Sequence, residues 1–174
     1  MKPYVEKVVV ARRNLCVPAV LQMLLEHHGI FGFTQESIAE QLLIIPDDST
    51  IDHIRWGAQI DSNTLNCFFE RNNIPLREEF VSASIFIDEI YFEDYICKLL
   101  TENFSIICGY NYTMLFSHGE DTYRHVSIIT NLNKSSITLL DPGPKEYGYK
   151  KVPSYELLRA IKMARDGLWC ITDA

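Results

Sequence analysis

Cys16, His125 and Asp141 are the residues of this chain whose types and order can do covalent chemistry together. A cysteine thiolate attacks a carbonyl carbon, an imidazole moves the protons, and a carboxylate holds the imidazole in one tautomer and orientation. Cys16 falls in the stretch NLCVPAVLQMLLEHHG, residues 14–29, which reads as a short loop delivering the cysteine onto the first turn of an amphipathic helix. Asn14 is suited to cap that helix, Pro18 is at home in a first turn, and Gly29 suits the left-handed position that ends it. At a helix N-terminus the unpaired backbone N–H groups and the macrodipole favour a thiolate. The same residues admit a plainer role. Cys16, Val20, Met23, Leu24 and His27 share one helical face, and a cysteine there can serve as a small core hydrophobe.

The geometry of the other two residues comes from RHVSIITNLNKSSITLLDPGP, residues 124–144. Two strands joined by a short loop centred on Asn133 would pair Asn131 with Ser135, Ile129 with Ile137, Ser127 with Leu139 and His125 with Asp141. Directly opposed residues have Cβ atoms about 4.5–5.5 Å apart, so the carboxylate would accept Nδ1–H and leave Nε2 for chemistry. A slip of one residue would send one of the two side chains to the other face. The competing readings are a solvated edge-strand histidine and an Asp141-Pro142-Gly143 turn, in which aspartate serves its own backbone.

The elements that must position these groups follow from periodicity. Residues 4–10 read as a short strand or extended arm. A second helix opens at a Thr34 cap with Ile38, Leu42 and Leu43 inward, and residues 46–61 read as an irregular surface connection. A third helix spans about 62–72 with Leu65, Phe68 and Phe69, and a fourth about 88–102 with Ile90, Ile96, Leu99 and Leu100 inward. LREEFV alternates as a strand. From Phe104 the period becomes extended: FSIICGY, RHVSIIT, SITLL, YGYKKV and LWCIT are five strands, interrupted by one helix, YELLRAIKMA, with Ser154 as its cap. The fold class expected is α+β in one domain over 1–174, helices first and an antiparallel sheet after.

Composition narrows the function classes. At 47% hydrophobic and 22% charged residues over 174 positions, the chain has an ordinary globular composition, and no apolar run approaches the ~18 residues of a membrane span. MKPYVEKVVVARRN lacks the long apolar region of a secretory signal. Five cysteines without CxxC spacing disfavour a disulfide scaffold and a zinc site, which points to a reducing cytoplasm and to neither metal nor cofactor. A net charge of −7 without a basic stripe disfavours nucleic acid, and no membrane partner is expected.

CVPAVLQMLLEHHG followed by FTQESIAEQL, and much later HVSIITNLNKSSITLLDP, resembles the peptidase C39-like branch of the papain-like cysteine peptidases. That branch has a helix opening with Cys-Gly-Pro-Ala and closing on His-Gly, a second helix opened by Gln-Glu, and a His-strand-turn-strand-Asp-Pro element. The resemblance is dense at the two ends of the chain and covers residues 46–103 by helix pattern alone. It implies a papain-like fold with Cys16 as nucleophile, His125 as general base and acid, and Asp141 as orienter. Two positions depart from the pattern. Val17 stands where the family has glycine, and Val10 stands where it has the glutamine that donates to the oxyanion. Losing one such donor costs about 10²–10³ in rate. The backbone N–H of Cys16 is the natural first donor, and Asn14 is the nearest amide side chain, although capping is its other role.

Free-standing relatives of this fold include enzymes resembling the butirosin-pathway acyltransferases, which pass an acyl group from a carrier-protein thioester to an amine. The expected function is therefore a Cys16 thioester resolved by an amine, with an acyl donor such as a carrier protein and a small amine or peptide as partners. A hydrolytic cysteine peptidase or amidase is the alternative, and a catalytically silent binding protein the third. Glu120 and Asp121 can attract a cationic amine or simply be solvated. His53 and His118 compete for the base; His118, seven residues from His125, can reach the same cleft but lacks a strand-paired carboxylate.

Overall fold

Apolar alternation over the second half of the chain does produce strands, and the computed structural model describes residues 4, 7–11, 15–42, 64–117, 124–143 and 146–174. Among these, five α-helices and a six-stranded antiparallel sheet make up most of the regular structure, with a 3-10 turn at Ala83–Ile85 and a π-helical turn at Thr113–Ser117. The helices are α1 (Cys16–His27), α2 (Gln35–Gln41), α3 (Thr64–Arg71), α4 (Glu89–Thr101) and α5 (Ser154–Ala164). The strands are β1 (Leu76–Ser82), β2 (Ser105–Asn111), β3 (Arg124–Asn133), β4 (Ser136–Asp141), β5 (Gly148–Pro153) and β6 (Gly167–Asp173). The sheet runs β1-β6-β2-β3-β4-β5, so the last strand of the chain is inserted between β1 and β2.

Side-chain alternation gives the sheet two apolar faces. Ile107, Val126, Ile128, Leu140, Trp169 and Ile171 meet α1 and α3 on one. Ile106, Cys108, Tyr110, Ile129, Leu139 and Leu168 meet α4 and α5 on the other. Helix α1 is buried nearly all round, with Val17, Leu21 and Leu25 covered as fully as Val20, Met23 and Leu24. The single-faced helix expected from sequence is instead a central one, since the sheet covers one side and α2 and the N-terminal arm the other. Burying each of these aliphatic side chains contributes about 1.5–3 kcal/mol.

The arm itself makes no strand among its described residues. Tyr4 stacks on His27 with ring centroids 3.7 Å apart, its hydroxyl lies 2.8 Å from Ser105 Oγ, and Ala11 N–H donates to the Pro142 carbonyl. Residues 46–61 and Leu43 lie outside the described residues.

Thr34 accepts from the Ser37 amide in a reciprocal capping box, and Gly29 takes φ +74° after α1. Ser154 is the first helical residue of α5 rather than its cap, and its hydroxyl donates to Glu93 instead. Ile90 is 66% exposed and Phe92 takes its inward place, because α4 begins one residue after the Asp88 cap and its buried face follows from Phe92, Ile96 and Leu99.

The β3–β4 hairpin differs from the expected one in two ways that compensate. Lys134 and Ser135 both take positive φ, 47° and 59°, forming a two-residue turn of the primed type between the paired Asn133 and Ser136. The turn is centred between Lys134 and Ser135 rather than on Asn133, which shifts the pairing by three residues and by itself would put His125 and Asp141 on opposite faces. A bulge at Thr130 restores the parity: beyond it Ile129 pairs Leu139 and Ile128 pairs Leu140. Continued one step, the register sets Asp141 opposite Ser127, two residues from His125. The two side chains share a face as diagonal neighbours.

Candidate active site

His125 is the second residue of β3, opposite Tyr110 of β2. It is 2% exposed, walled by the rings of Tyr110 and Tyr112 at 5.7 and 5.2 Å in edge-on contacts. Its Nε2–H donates to Asp141 Oδ1 at 2.8 Å. This reverses the tautomer expected from a directly opposed pair. A diagonal neighbour lies about 7–8 Å away along the sheet, within reach of the far ring nitrogen and not of the one beside the backbone. Nδ1 is thereby the nitrogen left for sulfur, and the side chain of Cys16, at the tip of α1, hydrogen-bonds the imidazole.

The residue before Cys16, Leu15, stands at the N-cap and offers no side-chain acceptor to the first turn. Asn14 lies outside the described residues, as do His53, His118, Glu120 and Asp121. Val10, at the position of the family glutamine, is 39% exposed, and its carbonyl accepts from Gln35 Nε2 at 3.2 Å.

Asp141 is fully buried and its two oxygens are divided. Oδ1 takes His125 and the Gly143 N–H, the latter at 2.8 Å, and Oδ2 faces Lys150 Nζ at 2.9 Å. Burial works against the ionised carboxyl, but His125, Lys150 and the Gly143 amide outweigh it and hold Asp141 below the usual carboxylate range. Desolvation likewise opposes the imidazolium, and the hydrogen bonds to Asp141 and Cys16 prevail, raising His125 to about 9.

Sequence reading missed Lys150, Tyr112 and Phe116. One signal was present for Lys150: the alternation of YGYKKV places it on the same inward face as the core residue Val152, and an inward lysine requires a carboxylate. Tyr112 precedes and Phe116 lies within a π-helical turn, Thr113–Ser117, a geometry frequent at functional sites, for which their sequence carries no signal.

No family model and no curated protein sequence matches the chain. Among solved structures, a protein from Bacillus anthracis described as a C39-like peptidase superposes with a TM-score of 0.65 at 13% identity, covering 98% of this chain and 96% of that one. The chain has the fold of a C39-like peptidase. In that fold no helix among the described residues is long and apolar enough to cross a membrane, and these residues contain no cluster of three or more metal-ligating side chains.

The C39-like scaffold makes an unequal expectation for its cysteines. Cys67 and Cys97 are exposed and Cys16 is only partly so, whereas Cys108 and Cys170 are buried, with burial raising both thiols, that of Cys170 to about 12. Access alone would make Cys67 and Cys97 react first. Brief iodoacetamide labelling at neutral pH followed by peptide mapping should instead find Cys16 modified fastest, because only it joins a helix N-terminus to an imidazole. Inertness of Cys16 would remove it as nucleophile.

A second expectation concerns pH. His125 binds its proton more tightly folded than unfolded, so its contribution to stability is fully present below about pH 6.5 and is lost as pH rises towards about 9. Denaturant midpoints measured across that window should fall more steeply for the natural chain than for His125→Gln. Parallel curves would refute the buried imidazolium.

Proposed function

We propose that this protein is a cysteine-nucleophile acyl-transfer enzyme that forms a thioester on Cys16 and passes the acyl group to an amine. The observation that supports it is the series Cys16, His125, Asp141, in which Nε2 is committed to the carboxylate and Nδ1 is the ring nitrogen that remains for sulfur. The Cys16 thiolate attacks the carbonyl of an acyl thioester, the bond to the donor sulfur breaks, and the departing thiol takes its proton from His125 Nδ1. An amine then attacks the Cys16 thioester, gives a proton back to Nδ1, and frees the thiolate. Asp141 holds the ring throughout. The backbone N–H of Cys16 donates to the oxyanion in both halves.

Valine at position 10 favours an activated donor. An amide needs both oxyanion donors far more than a thioester does, since the thioester carbonyl is already electrophilic. A hydrolytic C39-like peptidase is the second reading, favoured by the description of the Bacillus anthracis structure. Incubation with a simple acyl thioester, with and without a small diamine, tests the proposal: intact-protein mass spectrometry should show an acyl adduct on Cys16 that amine discharges as amide.

A further inference from the structure

Lys150 extends the row of polar side chains from β3 and β4 onto β5, the strand at the edge of the sheet. It faces Leu139 in register, two residues from Gly148, which stands opposite Asp141. Its side chain is only 14% exposed. Asp141 from β4 is its near partner. Tyr112, just past β2, brings its hydroxyl to 3.4 Å and its ring to 5.3 Å, and Phe116 presents its ring at 4.5 Å. Glu146, in the connection leading to β5, lies at 3.9 Å but is 78% exposed and well screened.

We propose that Lys150 is a positioning residue for the catalytic group, fixing the Asp141 carboxylate through Oδ2 while Oδ1 serves His125. This rests on the reading of Cys16 as nucleophile and His125 as its base. A carboxylate turns about its Cβ–Cγ bond, and contacts on Oδ1 alone leave that rotation open. A cation on Oδ2 closes it. The charge matters as well, because the imidazole loses and regains its proton during turnover. Each time His125 is neutral, the fully buried carboxylate would keep N–H donors but no countercharge, and burial would then raise its tendency to take up a proton. Lys150 stays charged through the cycle, and desolvation of its ammonium is outweighed by Asp141. The Tyr112 ring packs against His125 and Lys150 alike, so both partners of the carboxylate share one wall.

The test is the pH dependence of Cys16 alkylation by iodoacetamide in the full chain, for the natural sequence, Lys150→Met, Lys150→Arg, Asp141→Asn and the Asp141→Asn/Lys150→Met double variant. Lys150→Met should slow alkylation near pH 6 by about tenfold and move its acid limb up by about one pH unit, as Asp141 becomes protonated there. Lys150→Arg, which keeps charge and donor, should stay within about threefold with the limb unmoved. In the Asp141→Asn background the Lys150 change should add less than about twofold, since it acts through that carboxylate. Should Lys150→Met fail to melt cooperatively, Lys150→Gln takes its place in the comparison. An unchanged rate and acid limb, or the same loss with and without Asp141, would overturn the role of Lys150 alone. A natural protein whose Cys16 reacts no faster than Cys67, or a His125→Ala variant that alkylates normally, would sink the Cys16–His125 reading and this proposal with it.

Discussion

Cys16→Ala and His125→Ala are each expected to abolish turnover, on the order of a 10⁶-fold loss, whereas Asp141→Asn should leave a measurable remainder, about 10²-fold above those two. The ranking follows from what each group does. Without Cys16 no thioester forms, and without His125 neither the leaving thiol nor the incoming amine exchanges its proton. Asp141 enters no bond that is made or broken. Asparagine in its place still accepts at Oδ1 but no longer neutralises Lys150, 2.9 Å away. A buried ammonium left without its carboxylate costs stability, so Asp141→Asn should also lower the melting temperature while Cys16→Ala does not. The losses should not add, because the three act as one unit. His118→Ala serves as the control. Near-normal activity in His125→Ala, or none in His118→Ala, would transfer the base role.

The fate of the acyl group is the second large effect. An acyltransferase must keep its Cys16 thioester from about 55 M water until an amine arrives, which requires a bound amine with an effective molarity of order 10⁵ M or more. A peptidase needs no such site. With a small diamine present, amide should exceed free acid by at least about tenfold, and without it the Cys16 adduct should persist on the mass spectrometer's timescale. The net charge of −7 suits a cationic acceptor. If no adduct accumulates, acid forms at one rate with or without amine, and unstructured peptides are cut, the protein is a hydrolytic cysteine peptidase.

Both experiments act on residues that were already named in the sequence, and the reason is that their signals are local. The proline in the first turn and the glycine after α1 mark a helix whose N-terminus carries Cys16, whatever packs around it. Alternation over two marks the edge strands β1 and β5, and short apolar, β-branched runs between turns mark the buried strands within the sheet.

What the sequence by itself left undetermined depends on contacts between segments far apart. The turn at Lys134-Ser135 shifts the register by three and the bulge at Thr130 shifts it back by one, and only their combination keeps the pair on one face. That register makes the partners diagonal rather than opposed, and so decides which imidazole nitrogen meets Asp141. The burial of α1 on all sides depends on the arm, α2 and the sheet closing round it. The ammonium on Oδ2 depends on β5 pairing with β4 at the edge of the sheet. Periodicity tells which face a side chain takes; the pairing of strands tells which atom it meets.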